Sequence, residues 1–187
     1  YGDRHLNDNP DFIHIERIQT KSKLYNWEIK AHQHRKLFQI VFFFTGTAIV
    51  RIDEQETRIT APTAITVPPT VVHGFRFQAD TEGFVVTIAE PLIFKEVEQG
   101  HEQSLELLLS QTFTIELNEV PEQIERITYV LTMINDEFHS PQRGRCMMLR
   151  LLVDMLLLLL RRQLDEPHSE QKFDGISASI YIVIALW

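Results

Sequence analysis

The sequence predicts a mainly β domain, a closed barrel or sandwich of short strands, followed by an antiparallel pair of helices. Three observations predict it. Between residues 12 and 90, short runs of β-branched and aromatic residues recur at close, regular spacing, punctuated by Gly and Pro. From Pro121, apolar residues fall into a 3-4-3-4 stripe. From Cys146 to Leu160 the chain is apolar almost throughout, with Arg150 and Asp154 as interruptions.

Residues 1–11 are polar and read as a loose leader. Phe12–Ile18 is β-rich. Leu24–Ala31 alternates, with Tyr25, Trp27, Ile29 and Ala31 on one face. Phe38–Phe44 is nearly all apolar, as expected of a strand buried on both faces. Thr47–Asp53 and Glu56–Thr60 flank a polar turn at Glu54-Gln55 and suggest a hairpin. Ala64–Val67, Val71–Phe77 and Phe84–Ala89 complete the strand set, giving a barrel over residues 12–95.

Residues 96–166 read as a helical region, preceded by a short piece at Leu92–Glu98 and containing another at Ser104–Leu109. Ile124, Ile127, Leu131, Ile134 and Phe138 give a first long helix its apolar face, and Ser140-Pro141 with Gly144 ends it. A second helix should run from about Arg143 to Leu164. Leu149, Leu152, Leu156 and Leu160 form its stripe and are the expected dimerisation residues. Met147, Met148, Leu151, Val153, Met155 and Leu157–Leu159 make it apolar almost all round, so one face can pack within the chain while another needs a partner. Asp165–Lys172 reads as a polar linker signature, leading into a linker or tail, 167–187, of uncertain assignment. Ile176–Trp187 is short, apolar and uncapped.

The composition narrows the function. Apolar and aromatic residues make up 44% of the 187 residues, enough for one real core. With 18 basic against 26 acidic residues the net charge is −8, so this chain by itself makes a poor nucleic-acid binder. From Asp80 to Glu125 eleven acidic residues face one lysine, most simply a solvated surface. The single cysteine, Cys146, rules out an internal disulfide or a Cys-rich zinc module and reads as a buried helix thiol. No run approaches the roughly 20 apolar residues of a membrane helix. No secretory leader is read in the chain, which opens without an initiator Met; the expectation is a cytoplasmic protein with no membrane partner.

The chemistry concentrates in His32, His34, Gln39, Gly46, Pro68 and His73. Two histidines two apart on a strand share a face. In a closed barrel the inward side chains share one lumen, so three imidazoles and an amide could converge there. That set suits zinc, nickel or iron(II), although an amide at position 39 is a weaker ligand than a carboxylate. Polar groups that bond one another, water or a guest are the plainer account. Trp27, Phe38, Phe42, Phe44, Phe75 and Phe77 could wall a cavity, with strand alternation sending only some of them inward; simple core packing is the plainer account of most. Arg51 or Arg76 could pair with a carboxylate, though each also suits a solvated surface.

His32-Gln33-His34, then Gln39 and Gly46, resembles the first cupin motif, and Pro68 with His73 resembles the second. The cupin pattern carries Glu where this chain has Gln39, and usually Gly where it has Thr70. Residues from about Phe12 to Leu92 also resemble the N-terminal cupin-type effector-binding and dimerisation domain of AraC-family transcriptional regulators. The stretches His32–Gln39 and Val67–Phe75 look most like the branch that senses 4-hydroxybenzoate, 4-hydroxyphenylacetate and similar aromatic acids. The resemblance implies a cupin double-stranded β-helix barrel followed by a helical hairpin that dimerises. It implies a small aromatic carboxylate bound by His32, His34, Gln39, His73, Trp27 and Phe75, with no catalytic residues and no required cofactor. A divalent metal at His32, His34, Gln39 and His73 is the additional candidate. It also implies a homodimer, and a DNA-binding domain of two helix-turn-helix units after the linker. Nothing in residues 165–187 reads as that domain, so DNA contact is expected only through a part not represented here. The alternative is a stand-alone metal-dependent cupin enzyme, a dioxygenase or isomerase, or a small-molecule-binding cupin.

Overall fold

The computed structural model describes residues 11–20, 27–97, 108–117, 121–140, 142–164 and 170–172. The predicted barrel and hairpin are both present. Strands β1 (Ile13–Arg17), β2 (Glu28–His32), β3 (Leu37–Thr45), β4 (Thr47–Ile52), β5 (Gln55–Thr60), β6 (Thr63–Val67), β7 (His73–Phe77) and β8 (Glu82–Ala89) lead into helix α1 (Glu90–Val97). Strand β9 (Phe113–Glu116), helices α2 (Pro121–His139) and α3 (Arg145–Leu164) and strand β10 (Glu170–Lys172) follow. A six-stranded antiparallel sheet has the order β1-β8-β3-β6-β9-β10, and a four-stranded one the order β2-β7-β4-β5. Nearly all neighbours are distant in sequence, so the strands wind between the two sheets and enclose a common interior.

Strand β3 shows how the sequence builds this arrangement. Its odd positions, Val41 and Phe43, pack into the interior with Ile65, Val50, Phe75, Phe77 and Val85. Its even positions, Phe38, Ile40 and Phe42, pack outward against the helices with Ile127, Leu131, Leu152 and Leu156. A strand buried on both faces needs apolar residues at both parities, which the run Phe38–Phe44 supplies. Of the aromatics considered as cavity walls, Phe38 and Phe42 therefore face the helices, while Phe75 and Phe77 face the interior.

The helical hairpin packs on the outer face of the six-stranded sheet. Ile127, Val130, Leu131 and Ile134 are its buried residues on α2, matching the predicted stripe. Glu122 in the first turn complements the helix dipole. At the turn between the helices, the Arg145 guanidinium donates to the Phe138 carbonyl at 2.6 Å and lies 5.1 Å from the Phe138 ring centre. Among the described residues, no helix is long and apolar enough to cross a membrane.

The structure corrects several expectations. Leu149, Leu152, Leu156 and Leu160 do not form a free dimerisation face: all four are buried within this chain, in the core beneath the hairpin. The exposed apolar residues of α3 are Met147, Met148, Leu151, Met155 and Leu158. Both sets recur at helical spacing, and only docking on the sheet decides which one turns inward. Cys146 is exposed, not buried. The stretch read as helical contains β9, whose Phe113 and Ile115 are buried. Part of the expected linker, Glu170–Lys172, is strand β10 paired with β9. The β4–β5 turn falls at Asp53-Glu54, one residue earlier than expected, with Asp53 at φ 51°. Residues 1–10, 21–26, 104–107 and 176–187, which include the leader, Tyr25 and the apolar tail, lie outside the described residues.

Candidate functional site

The histidines meet. The His32 and His34 rings lie 4.9 Å apart, those of His32 and His73 4.5 Å, and those of His34 and His73 5.6 Å. One nitrogen from each falls within 4.8 Å of the others. Strand pairing explains His73: it opposes His32 across β2 and β7 and follows the inward parity of Phe75 and Phe77. His32 is less simple. Ile29 points inward, and strict alternation would then turn Ala31 inward and His32 outward. The register shifts between Ile29 and His32, and this irregularity brings His32 to the interior mouth while Ala31 is exposed. His34 lies beyond the strand, and its carbonyl accepts a hydrogen bond from the Thr70 backbone N–H at 2.6 Å. Thr70 sits at φ 70°, a left-handed conformation unusual for a β-branched residue. That explains why the motif usually has glycine here: this turn clamps the His34 loop. Gly46, at φ 83°, is the other motif position with such a requirement, since a Cβ there would stand 2.7 Å from the Thr81 Cα.

Gln39 completes the cluster from the opposite sheet. Its Oε1 is 2.9 Å from the His73 Nε2, and its Nε2 is 3.2 Å from the His34 Nε2. The same Nε2 donates to the Thr87 hydroxyl at 3.1 Å. Thr87 faces Gln39 directly across β3 and β8 and is buried. It is a site residue that the sequence reading missed. Only its inward parity, shared with Val85, could have marked it.

The rings are held by backbone carbonyls. The Nδ1 of His32 meets the Lys30 carbonyl at 2.8 Å, and the Nδ1 of His73 meets the Val71 carbonyl at 2.9 Å. Each bond fixes the tautomer of the neutral ring, with hydrogen on Nδ1 and the lone pair on Nε2. His73 therefore faces two oxygens, Val71 O and Gln39 Oε1, with one proton. A second proton is refused: burial, opposed by the Val71 hydrogen bond and reinforced by His32 and His34, lowers its pKa from 6.5 to about 3. Two arrangements resolve the contact. The Gln39 amide can turn, so that its NH2 donates to His73 while its oxygen accepts from Thr87 and His34. Alternatively, Oε1 and Nε2 can share a cation. The two atoms concerned, Gln39 Oε1 and His73 Nε2, are 2.9 Å apart. Carbonyl-anchored imidazoles are also the usual form of metal-ligating histidine, so the residues present fit a divalent metal.

The depressed pKa has a testable consequence for metal-free protein. The unfolded chain takes up a proton at His73 below pH 6.5 that the folded chain refuses until about pH 3. Stability is therefore full above pH 6.5 and falls as pH drops toward 3, by up to about 1.4 kcal/mol per pH unit. Urea unfolding in EDTA at pH 7.5 and pH 5 should show a steeper loss for wild type than for His73→Gln. Equal losses would show that His73 is not the group responsible.

The other predicted residues are placed differently. Phe75 is buried, 6.0 Å from the His73 ring and stacked on Phe77 at 5.6 Å. It stands directly behind the cluster. Trp27 begins at the opposite end of β2 from His32, where its carbonyl accepts from Phe77 N–H at 2.8 Å. Five residues of strand separate it from His32 by roughly 16 Å, so it does not join the histidines. Arg51 and Arg76 are exposed on the outer face. Arg51 donates to the Asp53 carbonyl at 2.9 Å, and Arg76 lies 3.9 Å from Glu56.

The family model of the AraC-like ligand binding domain matches residues 20–127. The chain belongs to this family. The matched residues take in the whole histidine cluster and the start of α2. Among solved structures, this AraC-like domain is similar to KdgF from Halomonas sp., at 21% identity over 32% of this chain and 56% of that one, TM-score 0.31. It is similar to an RmlC-like cupin from Shewanella frigidimarina, at 30% identity over 32% and 51%, TM-score 0.27. It is also similar to the AraC-like transcriptional activator CuxR, at 6% identity over 76% and 46%, TM-score 0.46. The matches span about half the length of these three chains. No curated protein sequence matches. The barrel is of the cupin type, two antiparallel sheets around one interior.

Proposed function

We propose that this AraC-like domain is the ligand-sensing and dimerising part of a transcription regulator, and that its effector is a small aromatic acid. The observation that carries the reading is the convergence of His32, His34, Gln39 and His73 beside the apolar cluster of the barrel interior. A few convergent polar groups set against apolar side chains are the usual lining of a small-molecule site. The effector's polar end meets these four side chains, and its ring lies toward Phe75. DNA contact falls to a further domain of the regulator, in keeping with the acidity of this chain.

Binding can act only by favouring one arrangement over another. Strand β3 offers the connection. Its inward face carries Gln39, and its outward residues Phe38, Ile40 and Phe42 pack with α2 and α3. The exposed Met148, Leu151, Met155 and Leu158 follow one another at 3-4-3 spacing, the seam spacing of paired helices. We assign the homodimer contact to that seam, with Met147 at its edge and Tyr129 and Met133 of α2 as the neighbouring exposed apolar residues.

The joint substitution His32→Ala and His34→Ala should reduce binding of 4-hydroxybenzoate, measured by calorimetry, by about a hundredfold or more, since each lost polar partner costs about 1–3 kcal/mol. It should leave the sedimentation coefficient unchanged. Unaltered affinity would remove the site from this mouth. The carbonyl-anchored imidazoles favour one other reading, a stand-alone metal-dependent cupin enzyme. Stoichiometric iron in protein never exposed to a nickel column, together with turnover, would replace the sensor reading.

A further inference from the structure

Strands β5 and β9 flank a second cavity, of about 210 Å3, whose lining includes Arg58, Thr60, Thr63, Thr114 and Glu116. It is smaller than the roughly 300–1,000 Å3 of drug-sized sites, so a guest has few heavy atoms. It is separate from the histidine cluster. Thr63 and Val67 are the two ends of β6, and Val67 is the residue that opposes Gln39, which puts roughly 13 Å of strand between the two places. Strand β5 ends the four-stranded sheet, and its hairpin fixes which backbone groups face outward. The two-residue turn makes Ile52 and Gln55 a bonded pair, and bonded pairs then alternate, Val50 with Thr57 and Ala48 with Ile59. The Ala61 N–H, donating to the Gly46 carbonyl at 3.1 Å, continues the series. Arg58 and Thr60 therefore turn their main-chain groups to the free edge. The Thr60 carbonyl accepts from the Thr63 hydroxyl at 2.6 Å. Among the described residues, the Arg58 N–H and C=O and the Thr60 N–H have no partner. On the opposite wall, Thr114 opposes Ile65 and Glu116 opposes Thr63, so both follow the inward parity of Ile65. Thr114 is only 3% exposed, yet among the described residues its hydroxyl has no hydrogen-bond partner. Buried hydroxyls are ordinarily paired, and one that lines a cavity is placed to meet a guest.

We propose that this cavity is a second small-molecule site, for a zwitterionic α-amino acid with a short polar side chain. The guest pairs with the β5 edge as one residue of an added strand would, its ammonium donating to the Arg58 carbonyl and its carboxylate accepting from a neighbouring backbone N–H. Arg58 and Glu116 add one charge of each sign to the lining, so a guest with both charges is matched where a simple anion or cation is not. The guest's side chain meets the Thr114 hydroxyl, which can donate or accept. The site is independent of the histidine cluster and of the effector assigned to it.

The experiment titrates the full chain with L-serine by calorimetry, with N-acetylserinamide as the control that keeps the hydroxyl and lacks both charges. Serine should bind at least about tenfold more tightly than the control, a difference of about 1.4 kcal/mol. Glu116→Gln and Thr114→Val should each weaken serine about tenfold, and Thr114→Ser should retain it. Neither weakening variant should alter the affinity for 4-hydroxybenzoate. Thr114→Val should not lower the thermal midpoint of the unliganded protein, because the hydroxyl it removes holds nothing in place. A lowered midpoint would show a structural role for that hydroxyl and overturn the proposal. Serine that gives no binding heat at millimolar concentration overturns it without any variant. Serine and the control bound equally overturn it in favour of an uncharged extended peptide on the β5 edge. Serine displaced by 4-hydroxybenzoate would put both ligands at the histidines and remove the second site, while leaving the first.

Discussion

Gly83→Ala should be among the most damaging single-methyl changes in the chain, lowering stability by upwards of about 3 kcal/mol. Gly83 lies on β8 opposite Phe43, just where the β3–β8 register shifts. A Cβ built there runs into the Phe42 carbonyl oxygen and comes within 2.8 Å of the Phe42 carbonyl carbon and the Ile18 Cδ1. A flexible side chain could swing aside, but a carbonyl in the middle of a sheet cannot. Strand β3 is hydrogen-bonded on both sides, to β8 and β6, so moving Phe42 disturbs two ladders at once. It would also displace the strand that carries Gln39. Thermal unfolding by circular dichroism is the measurement. A midpoint within about 4 °C of wild type would mean that the two strands do not approach so closely.

Substitutions on the two faces of α3 should have opposite signatures. Leu156 is fully buried, and Leu156→Ala should cost about 3 kcal/mol, within the range for a buried leucine. The folded fraction should still associate, because the methyl groups removed face the sheet. Leu151 is 58% exposed, so Leu151→Glu should change the stability of the single subunit by less than about 0.5 kcal/mol. In a twofold contact each residue near the axis meets its own copy or a close neighbour, so the new carboxylates would be desolvated beside one another. Sedimentation at tens of micromolar should then find Leu151→Glu monomeric and wild type dimeric. A wild type that is already monomeric at that concentration dismisses the seam. A Leu156→Ala protein of unchanged stability would instead contradict the packing of the hairpin on the sheet.

The choice between those faces shows the limit of pattern. Met148, Leu151, Met155 and Leu158 repeat as regularly as Leu149, Leu152, Leu156 and Leu160. Periodicity identifies a helix with more than one apolar stripe but does not say what each stripe meets. Likewise, four residues at Phe113–Glu116 are too short a run to announce a strand. They become one because β6 offers them an edge, with Thr66 Oγ1 accepting from the Phe113 N–H at 3.0 Å.

The sequence by itself determined the element types along most of the chain, because strand and helix periods are written into local side-chain order. It also determined that His32, His34, Gln39 and His73 belong together, because their spacing matched a motif. Only the tertiary structure decided which way His32 turns, since that depends on the register irregularity between Ile29 and His32. The assembled fold also decided that Trp27 stands at the far end of β2, that Thr87 orients the Gln39 amide, and that the outer face of α3 is the one left uncovered. Each depends on a contact between residues far apart in the chain, and such contacts have energies only after the sheets have closed around a common interior.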